Sequence, residues 1–229
     1  MADVSLSFAG HALRPLPCGA LFWPAESLLL VADLHLEKGS SLARRGSLLP
    51  PHDSLDTLDR LAAALERTGA RRVAALGDSF HDRDGPARLL PAARERLAAM
   101  IRAVEWSWIS GNHDGASAAT LGGQVEPEMM ISGVALRHEA LPSRAGPEIS
   151  GHFHPKVVLQ LRAGVRRSRR CFALAGDRLV LPAYGAYAGG LALDDPAWPA
   201  ALGRWPEALV VLDGGLVRVP PAAREGLAA

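Results

Sequence analysis

Five short apolar runs each end in side chains that bind metals. Leu28 to Ala32 leads into Asp33-Leu34-His35, Val73 to Leu76 into Gly77-Asp78, and Val104 to Ile109 into Gly111-Asn112-His113-Asp114. Val134 to Leu136 leads into His138, and Glu148 to Ser150 into Gly151-His152-Phe153-His154. Runs of this length and composition read as buried strands, so the polar clusters fall at strand ends. In an open α/β sheet, ligands gather outside the carboxyl ends of the strands, where loops converge and the sheet holds them in place. A fold for this chain must bring five strand ends to one edge.

The connections fit that demand. Between the first two clusters Leu55, Leu58, Leu61, Ala62 and Leu65 recur at helical spacing, with Asp53 placed to cap the start and Gly69 the end. A second helix is predicted from Pro86, with Leu90, Ala93, Leu97, Met100 and Ile101 on one face. Strand and helix therefore alternate from Leu28 to Ser110, as in a parallel sheet. Upstream, Val4, Leu6 and Phe8 alternate as in a strand before a turn at Ala9-Gly10-His11, which predicts an edge hairpin.

Beyond Ile131 the helical period is lost. Short strands are expected at Val157 to Leu161, Cys171 to Ala175, Arg178 to Leu181, Leu209 to Leu212 and Leu216 to Val219, with hairpin turns at Gly176-Asp177 and Asp213-Gly214-Gly215. Gly185 to Pro206, rich in Gly, Pro and Trp, reads as a long ordered loop, and the tail from Pro220 as frayed. A parallel α/β half followed by a β-rich half predicts two stacked sheets with helices outside. At 229 residues and 48% hydrophobic content, one domain spanning 1–229 has ample material for a core.

Composition excludes several function classes. A net charge of +1 demands neither a polyanionic partner nor a membrane surface, so any nucleic-acid contact must be local. Cys18 and Cys171 form no C-x-x-C spacing, which argues against a disulfide framework or a zinc knuckle. No stretch approaches the length of a membrane span, and Met1 to Gly10 lacks the pattern of a secretion signal. A soluble, cytoplasmic protein is expected. Only Lys38 and Lys156 are lysines, a bias that genome-wide coding preference explains and that carries no functional weight by itself.

The chemistry rests on the set of clusters. A lone Asp at a strand end is commonly a turn cap, and a lone His a satisfied polar group. Here five of the eight histidines, His35, His113, His138, His152 and His154, fall within the five clusters. With Asp33, Asp78 and Asn112 they supply the mixed nitrogen and oxygen donors that suit Mn²⁺, Fe²⁺ or Zn²⁺, whereas Ca²⁺ would want more oxygens. Asp33 and His35 are two apart, so on an extended backbone both side chains would leave one face. Two ions roughly 3.5 to 4 Å apart would need a bridging carboxylate, and Asp78 is the natural bridge.

The succession D-x-H, G-D, G-N-H-D, a further His and G-H-x-H resembles the calcineurin-like metallophosphoesterase superfamily, over Asp33 to His154. The resemblance implies a four-layer αββα sandwich, two stacked mixed sheets flanked by helices. It also implies two divalent ions, most readily Mn²⁺: Asp33, His35, Asp78 and His154 would hold one, and Asp78, Asn112, His138 and His152 the other. His113 would be the catalytic histidine, oriented by Asp114. Many members read G-D-x-x-D-R where this chain has Gly77-Asp78-Ser79-Phe80-His81-Asp82, so His81 is a group behind the metal ligands, a substrate contact or a turn histidine. Gly77 to Asp82, Gly151 to Pro155 and Leu181 to Gly190 together resemble the DNA-ligase-associated subgroup. That implies a manganese-dependent phosphodiesterase or endonuclease of DNA repair, working alongside a ligase, a helicase and an exonuclease.

For substrate contacts, Arg162, Arg166, Arg167, Arg169 and Arg170 cluster at an expected hairpin tip, and Arg44 and Arg45 follow the first motif. They would grip nucleic-acid phosphates if they reach the metal rim, and are solvated loop residues otherwise. Trp106, Trp108, Trp198 and Trp205 offer stacking surfaces, but Trp106 and Trp108 sit in a core-strand pattern and read as packing. Two further readings stay open: a small-molecule nucleotide or phosphate-monoester phosphoesterase, and a non-catalytic protein-binding scaffold. Retention of every ligand and of His113 weighs against the scaffold. Oligomeric state is not legible.

Overall fold

The LLLV run at Leu28–Val31 is wholly buried, as expected of a strand covered on both faces. In the computed structural model, which describes residues 4–47, 49–50, 52–141, 145–160, 166–212 and 215–221, it lies in the middle of a sheet. That sheet contains β1 (Leu6–Phe8), β2 (His11–Pro15), β3 (Leu21–Trp23), β4 (Leu28–Val31), β5 (Arg72–Leu76), β6 (Glu105–Ile109) and β7 (Gln124–Glu126), in sequence order. β1 to β4 pair antiparallel, whereas β4 to β7 are parallel.

The chain then supplies β8 (Met129–Ile131), β9 (Val134–Leu136), β10 (Glu148–Ser150), β11 (Pro155–Gln160), β12 (Arg166–Arg170), β13 (Phe172–Ala175), β14 (Arg178–Val180), β15 (Leu191–Ala192), β16 (Glu207–Leu212) and β17 (Gly215–Val219). A second seven-stranded sheet runs β17-β16-β13-β14-β10-β9-β8, and a small one runs β12-β11-β15. The sandwich core holds Leu28, Leu30, Leu76 and Ile109 from the first sheet against Leu136, Ile149, Leu179 and Leu209 from the second. On the outer face of the first sheet, Val73, Trp106 and Trp108 pack against Leu58, Leu61, Ala93 and Leu97. The tryptophans are therefore packing, not stacking platforms.

The helices are α1 (Lys38–Ala43), α2 (Asp53–Thr68), α3 (Gly85–Arg88), α4 (Pro91–Ala103) and α5 (Ala197–Leu202). Three sequence expectations need correction here. The helix expected from Pro86 is broken: α3 ends at Arg88 and α4 starts at Pro91, with Leu90 extended at ψ 148° and exposed. Proline disfavours helical geometry in the residue before it. Asp53 is the first helical residue rather than the cap, and its carboxylate instead accepts the Gly39 N–H at 2.9 Å, tying α2 to α1. The loop expected over Gly185 to Pro206 contains β15 and α5; Trp198 on α5 is fully buried against the second sheet and donates its indole N–H to Ala192. The outermost layer is thus one short helix beside the small sheet. The turn residues Asp213 and Gly214, and the tail beyond 221, lie outside the described residues.

One polar feature crosses the second sheet. Glu148 on β10 is buried and accepts from Arg178 at 2.8 Å, while Arg137, also buried, reaches its other oxygen at 3.5 Å and Glu128 at 2.9 Å. Arg178 also donates to the Leu141 carbonyl, and Leu141 N–H to Glu148, so the network pins the segment that follows β9. Removing one member of such a network leaves buried charge uncompensated. Glu148→Ala should therefore lower unfolding free energy by about 3 kcal/mol in urea titrations; a loss near zero would show that the network contributes no net stability.

Candidate metal centre

The carboxyl ends of β4, β5 and β6 in one sheet, and of β9 and β10 in the other, open onto one place. There Asp33, His35 and His154 bring ligand atoms within 4.8 Å of one another, and Asp78, His138 and His152 form a second such group. Asn112 joins the second group, with its side-chain oxygen 2.8 Å from His138 Nε2 and 3.2 Å from His152 Nδ1. The two groups touch, since Asp33 Oδ1 lies 3.8 Å from the His138 ring. His152 and His154, two residues apart, are divided between them.

The ligands do not converge through extended backbone. Asp33, His35, Asp78, His152 and His154 all adopt left-handed conformations, with φ between 42° and 71°. The expectation that Asp33 and His35 share a face of an extended strand is therefore corrected: left-handed turns at Asp33 and His35, either side of Leu34, bring both side chains inward. Each costs on the order of 1 kcal/mol relative to ordinary backbone. Hydrogen bonds between the loops hold these turns: His35 N–H donates to the Asp78 carbonyl, His152 N–H to Asp33 Oδ2, and His113 N–H to Asp78 Oδ1, each at 2.9 Å.

Exposure is graded across the site. Asp33 and Asp78 form a buried floor, His35 and His138 lie just above, and His113 stands at the rim with 42% of its side chain exposed. His138 donates its Nδ1–H to the Leu76 carbonyl, which turns Nε2 inward, 3.4 Å from Asp78 Oδ2. The facing nitrogens of His35 and His154, 3.2 Å apart, and of His138 and His152, 3.1 Å apart, suit two lone pairs aimed at a shared cation. Asp33 Oδ1 is buried without a hydrogen-bond donor, as a ligand oxygen would be. Although burial opposes it, the His138 hydrogen bond holds Asp78 at about 2, and the same carboxylate helps raise His138 to about 9. Burial, reinforced by His154, lowers His35 to about 3. The floor thus favours positive charge, and the donor set fits two divalent ions.

The structure gives His113 and Asp114 different surroundings from those expected. His113 Nδ1 donates to the His81 carbonyl at 3.1 Å, and the two rings stack. Asp114 is buried and accepts from the N–H groups of Phe80 and Gly111, bracing two motif loops, and burial raises it to about 6. His81 is thus the orienting partner seen for His113. Burial lowers His81 itself, with the charge of Lys38 adding to the effect.

Of the arginines, Arg44 pairs with Asp84 at 3.6 Å on the exposed side of α1, whereas Arg45 lies close enough for its charge to act on His81. Arg166 to Arg170 form the exposed strand β12 rather than a hairpin tip, and Arg162 lies outside the described residues. Trp205 is 40% exposed. The sequence reading missed Lys38 and Lys156. They are the chain's two lysines, standing three residues after His35 and two after His154, and that spacing was the available signal.

Motif glycines serve close approach. A Cβ on Gly111 would lie 2.2 Å from both the backbone nitrogen and Oδ1 of Asp78, and one on Gly151 2.6 Å from Asp33 Oδ2. Gly111→Ala should therefore weaken divalent-cation binding by about tenfold or more in calorimetric titration; unchanged affinity would show that the close approach of Gly111 to Asp78 does not set the site.

No family model matches the chain, and no curated protein does. Among solved structures, the nuclease MPE of Pseudomonas putida is 30% identical, with a TM-score of 0.70 over 90% of this chain and 95% of that one. Yfce, a phosphoesterase from E. coli, is 17% identical, with a TM-score of 0.42 over 81% of this chain and 88% of that one. The first likeness, at 30% identity over nearly the whole of both chains, establishes that the chain belongs to the metallophosphoesterase family.

Proposed function

We propose that this protein is a phosphodiesterase that cleaves DNA, using two divalent ions, most readily Mn²⁺. The observation that carries the reading is the pair of adjoining donor groups, Asp33/His35/His154 and Asp78/His138/His152, with His113 beside them but outside both. Asp33, His35 and His154 would hold one ion and Asp78, Asn112, His138 and His152 the other, and the ions would supply Lewis acidity toward a phosphoryl oxygen and water. His113 has its Nδ1–H committed to the His81 carbonyl, which turns Nε2 toward the centre, and the imidazolium form of the ring would carry there the proton given to a departing oxygen. Asp114 keeps the Phe80 and Gly111 backbones, and so the His113 loop, in place. The nucleic-acid substrate is supported by the likeness to a nuclease and by the exposed basic strand β12. Action in DNA repair beside a ligase, a helicase and an exonuclease rests on the sequence resemblance alone.

Bis(p-nitrophenyl) phosphate should be hydrolysed with added Mn²⁺ and not after chelation, and His113→Ala should slow turnover by about a hundredfold or more. Undiminished activity in that variant would remove His113 from the mechanism. Comparison of single-stranded, nicked and hairpin DNA with mono- and dinucleotides decides the substrate. Cleavage of the small molecules alone would replace the nuclease reading with a small-molecule phosphoesterase.

A further inference from the structure

A cavity of about 260 Å³ opens beside the metal centre, sharing His154 with it and otherwise lined by Lys156, Ser168, Arg170, Gly189 and Gly190 among others. No carboxylate is among its lining residues. Its two cations are register partners: Lys156 on β11 stands directly opposite Arg170 on β12, and Val158 opposite Ser168. Directly opposed residues of an antiparallel pair share a face, so both cations border the cavity. Arg170 donates to the Ala183 carbonyl at 3.1 Å and feels the charge of Arg60, and among the described residues no acidic one lines the cavity to neutralise either cation. An anion in the cavity would meet both side chains. By strand alternation Arg166 lies on the same face of β12 as Ser168 and Arg170, while Arg167 and Arg169 lie on the other. The basic face therefore begins at a metal ligand and leads away from it.

We propose that Lys156, Ser168 and Arg170 bind the phosphate next to the scissile one in a single polynucleotide strand, and that Arg166 continues the track. The proposal rests on the phosphodiesterase reading above and narrows it: the enzyme selects strands over isolated diesters by a flanking phosphate. Lys156 and Arg170 supply charge-assisted donors, Ser168 a hydroxyl. The cavity's size suits a phosphate and its sugar.

The test compares Mn²⁺-loaded wild-type enzyme with Lys156→Ala and Gly189→Asp, on a short single-stranded oligodeoxynucleotide and on bis(p-nitrophenyl) phosphate, which has no second phosphate. Gly189 has ordinary backbone geometry and nothing within 4 Å of an added Cβ, so its substitution adds an anion to the cavity wall without disturbing the fold. For each variant, the ratio of kcat/KM on the oligonucleotide to that on the diester should fall about tenfold, through KM, as expected for one lost charge-assisted contact. The dependence of oligonucleotide kcat/KM on salt should flatten by ~0.7 in log-log slope for Lys156→Ala. A wild-type enzyme inactive on both substrates would overturn the phosphodiesterase reading itself. An active wild type whose variants keep the wild-type ratio, whether both activities fall together or neither does, would overturn the flanking-phosphate site.

Discussion

Two carboxylates are buried at the ends of parallel strands, and the rest of the molecule is arranged to make that tolerable. Asp33 is fully buried and Asp78 nearly so, beside a sandwich core of aliphatic and aromatic side chains. An ionised carboxylate taken out of water is costly unless donors or cations surround it. Backbone N–H groups of His152 and His113 supply part of the compensation, and inward imidazoles supply more. Each N–H comes from a different motif loop, so the demand of the floor is also what draws the loops together. A cation would complete the set, and metal binding would then be coupled to loop order.

This coupling explains why the centre was readable in the sequence while much around it was not. Ligand identity is local: a donor must follow a strand, and an apolar run followed by Asp, His or Asn records that directly. The division of His152 and His154 between two groups, by contrast, depends on how left-handed turns aim neighbouring side chains, and two-residue periodicity points them both the same way. The break at Leu90 was written in Pro91, but the apolar period running across it gave the stronger signal. Arg137, Glu148 and Arg178 belong to different strands, and no spacing in the sequence announces a buried ion network that only sheet pairing assembles. The arginines of β12 looked like a tip because charge suggests a loop; pairing with β11 makes them a strand.

The two sheets contribute unequally to the site. The first carries Asp33, His35, Asp78, Asn112 and His113 on parallel strands backed by α2 and α4, a support covered on both faces. The second carries His138, His152 and His154, with the Glu148 network behind them. The centre lies where the two meet, so sliding of one sheet over the other would separate donors within each group. The sandwich core that prevents such sliding is thus as much a determinant of metal geometry as the loops.

The left-handed turns have one more consequence. Aspartate, asparagine and histidine are the non-glycine residues that most readily occupy positive φ, because their short polar side chains bond locally. They are also the side chains the metals require. At Asp33, Asp78, His152 and His154 backbone and coordination chemistry therefore select the same few amino acids, and a glutamate, which keeps the charge, would lose the conformational advantage. Sequence drift at this centre is confined twice over, once by the ion and once by the chain.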